Sequence, residues 1–295
     1  MPANKELRGW LALVAVYIFW GSTYLAIRIG VEAFPPFALG SIRYLIAGTI
    51  LCSATWWRTH GRIEGIHLRS AFTIGFLMLV CGNGGVILAE QTVPSGVASL
   101  VVATVPLWLA LLVTLRQRRM IQPLVGLGLL VGFLGVGLLA SPSPSQHVDP
   151  RGVGIMLLGS FLWAVGSLYS RTAPQAQPAL LAIGIQMLAG GLLFGILSLA
   201  FGEPAHIHFS TQAGLAIAWL VVFGSLVGFS GYILALRLLP TTTASTYAFV
   251  NPLIAVLLGW AILGEPVTFQ TGIAMATTVI GVTCILTGQR RVAAE

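Results

Sequence analysis

Trp20, Thr23 and Tyr24 stand at i, i+3 and i+4, the spacing that puts three side chains on one face of a helix. An indole, a hydroxyl and a phenol on one face can stack on a flat or apolar body and hydrogen-bond to its polar end. None of them has the neighbours a nucleophile, a metal site or a phosphate cradle requires, so the chemistry on offer is binding. Trp163 and Ser167 repeat the aromatic–hydroxyl pairing at i, i+4, Tyr247 and Asn251 form another such pair, and Asn83 and Gln186 are single amides inside apolar runs. Two readings fit these residues: the walls of a route for a small polar ligand, or hydrogen bonds that tie helices together.

Arg43 lies seven residues inside an apolar run, about 10 Å deep at ~1.5 Å per residue. An arginine there costs from about 2.5 kcal/mol upward. It is expected to hold a substrate carboxylate, to close a gate with Glu90 or Glu265, or to snorkel to the headgroups. As a carboxylate ligand it should tolerate Lys in part and Gln not at all. Pro106 and Pro252 interrupt two other apolar runs. Each proline withholds an N–H from the carbonyl four residues back, so Val102 and Ala248 should present free carbonyls, either at hinges beside a cavity or at static kinks. Glu265, between Gly264 and Pro266, is expected to cap the helix that follows it.

These residues need a membrane around them. The chain has 295 residues, 57% of them hydrophobic and 8% charged, with a mean hydropathy of +0.93. A soluble domain carries about 25% charged residues, so this chain cannot cover a soluble surface. At about 20 apolar residues per crossing, ten spans are predicted: 10–29, 36–56, 70–89, 95–115, 123–140, 152–170, 178–200, 212–236, 242–263 and 269–287. The first is too long and aromatic for a cleaved signal peptide. Twelve basic residues fall on one side of this scheme (Lys5, Arg8, Arg58, Arg62, Arg69, Arg116, Arg118, Arg119, Arg171, Arg237, Arg290 and Arg291) and only Arg28 and Arg151 on the other. The positive-inside rule then puts both termini in the cytoplasm. The scatter of these charges over short loops also argues against a nucleic-acid partner.

The two halves, 1–146 and 147–295, match at an offset of 146 residues: Gly82, Gly85, Pro94, Pro106, Gly126 and Gly135 return as Gly228, Gly231, Pro240, Pro252, Gly272 and Gly281. Upstream the offset becomes 143, pairing Trp20 with Trp163. Five spans per half is an odd number, so the second half enters from the opposite face. The predicted fold class is an all-α integral membrane protein of ten helices in two inverted-topology repeats, with a ligand site between the halves near the midplane. The small-residue pairs Gly128 and Gly132, Gly191 and Gly195, and Gly224 and Gly228 read as close helix contacts within one chain, so a monomer or weak homodimer is expected.

With Phe19-Trp20-Gly21-Ser22, Arg43-Tyr44, Pro106, Pro252 and Gly264-Glu265-Pro266 followed by Gly272 and Gly281, the chain resembles the EamA-domain family of the drug/metabolite transporter superfamily, over nearly its whole length. The resemblance implies a ten-helix carrier with a central cavity, often an exporter of amino acids or other small metabolites, in the inner membrane. One departure is that Arg118-Arg119-Met120 stands where the second half has Gly264-Glu265-Pro266.

Other chemistries fail on inspection. Gly135 to Ala140 matches the dinucleotide fingerprint in letters, but in an apolar span with no strand before it. His60, His67, His206 and His208 are loop residues without companion ligands, and Cys52, Cys81 and Cys284 show no metal or redox spacing. No ATP motif is present, and neither cofactor nor metal is expected. A membrane enzyme acting on lipid would need a nucleophile, base or metal cluster, and a scaffold would not need prolines and amides at mid-span in both halves. The expectation is a permease, not an enzyme, moving a small molecule through the lipid bilayer by alternating access. Carriers of nucleotide sugars or lipid-linked substrates stand as the alternative.

Overall fold

The computed structural model describes residues 2–59, 65–116, 122–139 and 148–294. Arg62, Arg118, Arg119, His60, residues 141–144 and the junction between the halves at 146–147 lie outside the described residues, as do the side chains of Arg58, Arg290 and Arg291. Among the described residues every regular element is helical. The principal segments are α1 (Pro2–Gly30), α2 (Pro36–Thr59), α3 (65–89), α4 (95–116), α5 (Pro123–Leu139), α6 (Pro150–Thr172), α7 (Ala179–Ala200), α8 (Thr211–Leu238), α9 (241–263) and α10 (Phe269–Ala294). Seven of these, α1 to α4 and α6 to α8, are long and apolar enough to cross a membrane, and α5, α9 and α10 contain shorter apolar helices.

The punctuation follows local chemistry. Pro36, Pro123 and Pro150 open helices at their first residue, where the missing N–H costs nothing. Asp149 accepts the Arg151 N–H at 2.9 Å and Ser210 accepts the Ala213 N–H at 3.1 Å, capping α6 and α8. Gly202 and Gly264 follow the ends of α7 and α9 with φ of 69° and 66°, a left-handed turn that glycine makes without a Cβ clash. Outward faces carry Leu130, Leu134, Leu158, Leu199, Trp260 and Ile280, an apolar coat that suits hydrocarbon as solvent.

Four helices are irregular. Residues 75–83 of α3 and 220–229 of α8 wind as π-helix, and the 146-residue offset carries the first onto 221–229. In α4 the helix breaks at Ala103-Thr104, and in α9 at Ser245-Thr246. The prolines correspond, but the breaks do not: Thr104 is two residues before Pro106, Thr246 six before Pro252.

The halves interlock. Helix α1 packs on α8 and α9 of the other half, and α6 packs on α3 and α4; α2 lies along α7, and α5 along α10. Glycines set the approach. A Cβ at Gly281 would stand 2.8 Å from the Gly128 carbonyl oxygen and 3.1 Å from the Gly132 Cα, and one at Gly191 would stand 2.8 Å from the Leu45 nitrogen, so both contacts bring helices of this chain together.

Candidate functional site

A small cavity, with room of about 40 Å³ for water-sized groups, lies where the halves meet. Helix α1 contributes Trp20, Thr23, Tyr24 and Ile27, a face at i, i+3, i+4, i+7. Helix α3 contributes Gly82 and Asn83 from the end of its π segment and Val86 just past it, and α6 contributes Gly159, Ser160 and Trp163. Val102 and Val105 flank the break in α4, and Tyr247 stands just past the break in α9. No ionised side chain lines this space; its polar groups are hydroxyls, an amide and indole N–H.

The aromatic wall is one connected cluster. The rings of Trp20 and Trp163 meet edge to face with centroids 5.5 Å apart, a favoured geometry for aromatic pairs. Tyr232 lies 5.1 Å and Tyr247 5.3 Å from Trp20, and Trp163 is 5.6 Å from Tyr232. Each tryptophan rests on a glycine of the opposite half: a Cβ at Gly82 would stand 2.8 Å from the Trp163 ring, and one at Gly228 would collide with the Trp20 indole. Trp20 Nε1 donates to the Gly224 carbonyl at 3.1 Å, within the π segment of α8. Such segments shift the i→i−4 ladder and often occur at functional positions.

Polar orientation is fixed from behind. Arg43 is 2% exposed; its Nε donates to Ser225 Oγ at 2.8 Å and its Nη1 to Asn83 Oδ1 at 3.1 Å. The guanidinium therefore neither snorkels nor makes a hydrogen bond to Glu90 or Glu265. Because arginine has no acceptor, the Asn83 oxygen must face it, which leaves the amide N–H groups for the cavity. Thr23 Oγ1 donates to the Trp20 carbonyl at 2.7 Å. Ser167 Oγ donates to the Trp163 carbonyl at 2.7 Å and lies 3.0 Å from the Tyr232 hydroxyl, outside the cavity wall. Trp163 Nε1 and Ser160 Oγ are buried without a hydrogen-bond partner.

Two amides lie elsewhere. Both polar atoms of Asn251 are buried and unpartnered, but the residue does not line the cavity. Gln186 donates to Gln175 Oε1 at 2.9 Å, and Arg237 donates to the same oxygen, so it belongs to a polar cluster beside the α6–α7 turn. Pro106 sits at the break in α4 and Pro252 inside the long part of α9. Among the described residues no group of three or more His, Cys, Asp or Glu could hold a metal ion.

A model described as the EamA-like transporter family matches at residues 7–141 and again at 150–287. The chain belongs to that family. An Escherichia coli protein named an uncharacterized inner membrane transporter, YedA, is 37% identical over 284 residues, covering 94% of this chain and 90% of its own. An uncharacterized transporter of Archaeoglobus fulgidus is 24% identical over 94% of this chain and 98% of its own. A chloroplastic WAT1-related protein of Arabidopsis thaliana is 25% identical over 92% of this chain and 68% of its own. One solved crystal structure superposes with a TM-score of 0.67 at 21% identity, covering 96% of this chain and 97% of that one, a likeness of fold. The family is one of transporters, and the chain is not an enzyme.

In this EamA-family chain, one end of the bundle is tied across the halves by two Gly-Glu-Pro turns. Glu203 accepts the Phe37 and Ala38 N–H groups at 3.1 and 2.7 Å, capping α2. Glu265 accepts the Ser95 N–H at 2.8 Å, the Ser95 hydroxyl at 2.9 Å and the Gly96 N–H at 3.2 Å, capping α4. The sequence expectation that Glu265 caps the helix after it is thus corrected. The left-handed Gly264 turns the chain back, and the carboxylate reaches unpaired N–H groups of the other half, while Thr268 Oγ1 accepts the Thr271 N–H at 3.1 Å and caps α10. Sequence reasoning also missed Ser160, Gly82 and Gly159 as wall residues. The repeat offset was the available signal for Gly82, through its pairing with Gly228.

Proposed function

We propose that the chain is a secondary transporter whose ten helices cross a bacterial inner membrane as two inverted five-helix repeats, 1–146 and 147–295, exporting small metabolites such as amino acids by alternating access. The observation that carries this reading is the meeting of repeat-related Trp20 and Trp163, each seated on a repeat-related glycine of the opposite half, at the wall of a cavity between the halves. Inverted-repeat carriers bind their ligand at such an interface. Trp20, Tyr24, Trp163 and Tyr247 would stack on the apolar body of the substrate, with Thr23, Asn83 and Ser160 meeting its polar end. Arg43 and Ser167 hold that wall from behind. Asn251, with an unpaired buried amide, would enter the route when the halves rock, and Gln186 would tie the opposite end. The breaks beside Pro106 and before Pro252 supply the hinges.

Membership of a transporter family and the naming of an Escherichia coli relative as an inner membrane protein support the setting. The charge asymmetry supports cytoplasmic termini, and the opposite end of the bundle gathers the α1–α2, α3–α4, α7–α8 and α9–α10 turns through Glu203, Glu265 and the Arg28–Glu90 contact. That end is the outer face in this reading, and it is shut. The test is flux in proteoliposomes, without nucleotide, over a panel of amino acids, nucleotide sugars and lipid-linked sugars. Flux of an amino acid without ATP is the expected result. Strict ATP dependence refutes secondary transport, and flux of nucleotide or lipid-linked sugars alone refutes the amino-acid assignment.

A further inference from the structure

Glu90 is a carboxylate left unsatisfied at the end of the bundle that the two Gly-Glu-Pro turns tie together. It follows α3 directly and is 0% exposed, and neither of its carboxylate oxygens has a hydrogen-bond partner. An ionised carboxylate in that position would cost several kcal/mol unless paired. Its charged neighbours are committed to other groups. Arg28 donates to the main-chain carbonyl of Glu90, Arg43 spends Nε and Nη1 on Ser225 and Asn83, and Glu265 spends both oxygens on the start of α4. Tyr24 is a further ionisable group in electrostatic contact with it. Asn83 and Val86 lie on α3 and Glu90 is its C-cap, so Glu90 sits about 6 Å beyond the cavity-lining Val86 at ~1.5 Å per residue. The repeat gives it no twin: the offset of 146 lands on Leu236.

We propose that Glu90 is a proton-binding site in the roof of the cavity, protonated while Glu265 holds α4 and ionised when that hold is released. Burial, and then the Glu265 carboxylate, push its pKa well above the ordinary carboxylate range, against smaller opposing effects of Arg28 and Arg43. Release of Glu265 would admit water, which stabilises the anion, and would move a negative charge away, so both changes drive the proton off to the outer aqueous phase. The carrier reading then acquires a coupled ion. That consequence rests on the proposed transport function; the protonation does not.

The experiment is infrared difference spectroscopy of the full chain in lipid, titrated from about pH 5 to about pH 9, well above the ordinary glutamate pKa of ~4.3. The expected result is a protonated-carboxyl band that titrates within this range, is absent from Glu90→Gln, and moves to lower pH in Glu265→Gln. Glu90→Asp, with the carboxyl kept, should shift the band and not abolish it, which covers a Glu90→Gln chain that fails to fold. Absence of a protonated carboxyl above about pH 5 overturns the proposal, as does a band that survives in a folded Glu90→Gln chain or a midpoint indifferent to Glu265→Gln. None of these readouts involves flux, so a failed transport assay and a failed protonation site are told apart.

Discussion

Under the proposed topology, replacing Glu265 by Gln should loosen the outer face. The carboxylate accepts three hydrogen bonds, from the Ser95 N–H, the Ser95 hydroxyl and the Gly96 N–H. An amide keeps one accepting oxygen and turns the other into a donor, facing groups that are themselves donors. Loss of a helix N-cap costs roughly 0.5–2 kcal/mol, and a hydrogen bond to a charged acceptor contributes about 1.5–3 kcal/mol. Glu265 is partly exposed, so solvent screening reduces the charge contribution, and a total of about 1.5–3 kcal/mol is reasonable. At about 1.4 kcal/mol per tenfold change, opening should become roughly 10- to 150-fold more favourable. The assay places a single cysteine at Val86, inside the cavity, in a chain whose Cys52, Cys81 and Cys284 are replaced. Labelling by a membrane-impermeant maleimide added outside then reports opening. Labelling of the Glu265→Gln chain should rise by that factor, and labelling of a control at the exposed Glu32 should not. An unchanged rate for Glu265→Gln, or an equal rise for Glu32→Gln, would refute the idea that this carboxylate holds the outer face shut.

Three further outcomes are expected. Gly82→Ala and Gly228→Ala should each lower the melting temperature of the purified chain, because the new methyl meets the Trp163 or Trp20 ring and overpacking costs about 1–3 kcal/mol; pairing Gly82→Ala with Trp163→Phe should restore part of the loss, and normal stability of both single variants would sink the packing argument. Arg43→Lys and Arg43→Gln should both cut flux per inserted protein by at least about tenfold, since lysine lacks the planar fork that sets Nε on Ser225 and Nη1 on Asn83; wild-type flux in the Lys variant would return Arg43 to the role of a simple charge. Reporter fusions should read cytoplasmic at Gly61 and Arg118 and periplasmic at Ser143 and Glu203, and a periplasmic signal at Arg118 would break the ten-span topology.

The membrane class was legible in the sequence because lipid imposes few and strict demands. A crossing needs length and hydropathy, and its ends need turn chemistry, so the predicted spans coincide with the helical segments to within a few residues, apart from extensions such as the start of α1 and the end of α10. The repeat offset was legible too. It pointed to Trp20 with Trp163 and to Gly82 with Gly228, and the structure stacks each tryptophan on the other half's glycine. What the sequence could not give was facing. In these helices the lipid side and the protein side are both apolar, so hydrophobic periodicity does not mark the buried stripe as it does on a soluble helix. Gln186 and Asn83 look alike as single amides in apolar runs, yet one pairs with Gln175 at the far end and the other meets Arg43 at the cavity. Ser160 is an unremarked serine until α6 places it in the cavity wall. The target of Glu265 was equally out of reach, because two helix starts lay within range of that turn and only the packing of α4 against α9 decided which one the carboxylate caps. Composition and spacing therefore determined the solvent, the helices and their repeat. The tertiary structure alone decided which polar groups are satisfied by neighbours and which, like Glu90 and Ser160, are left unpaired.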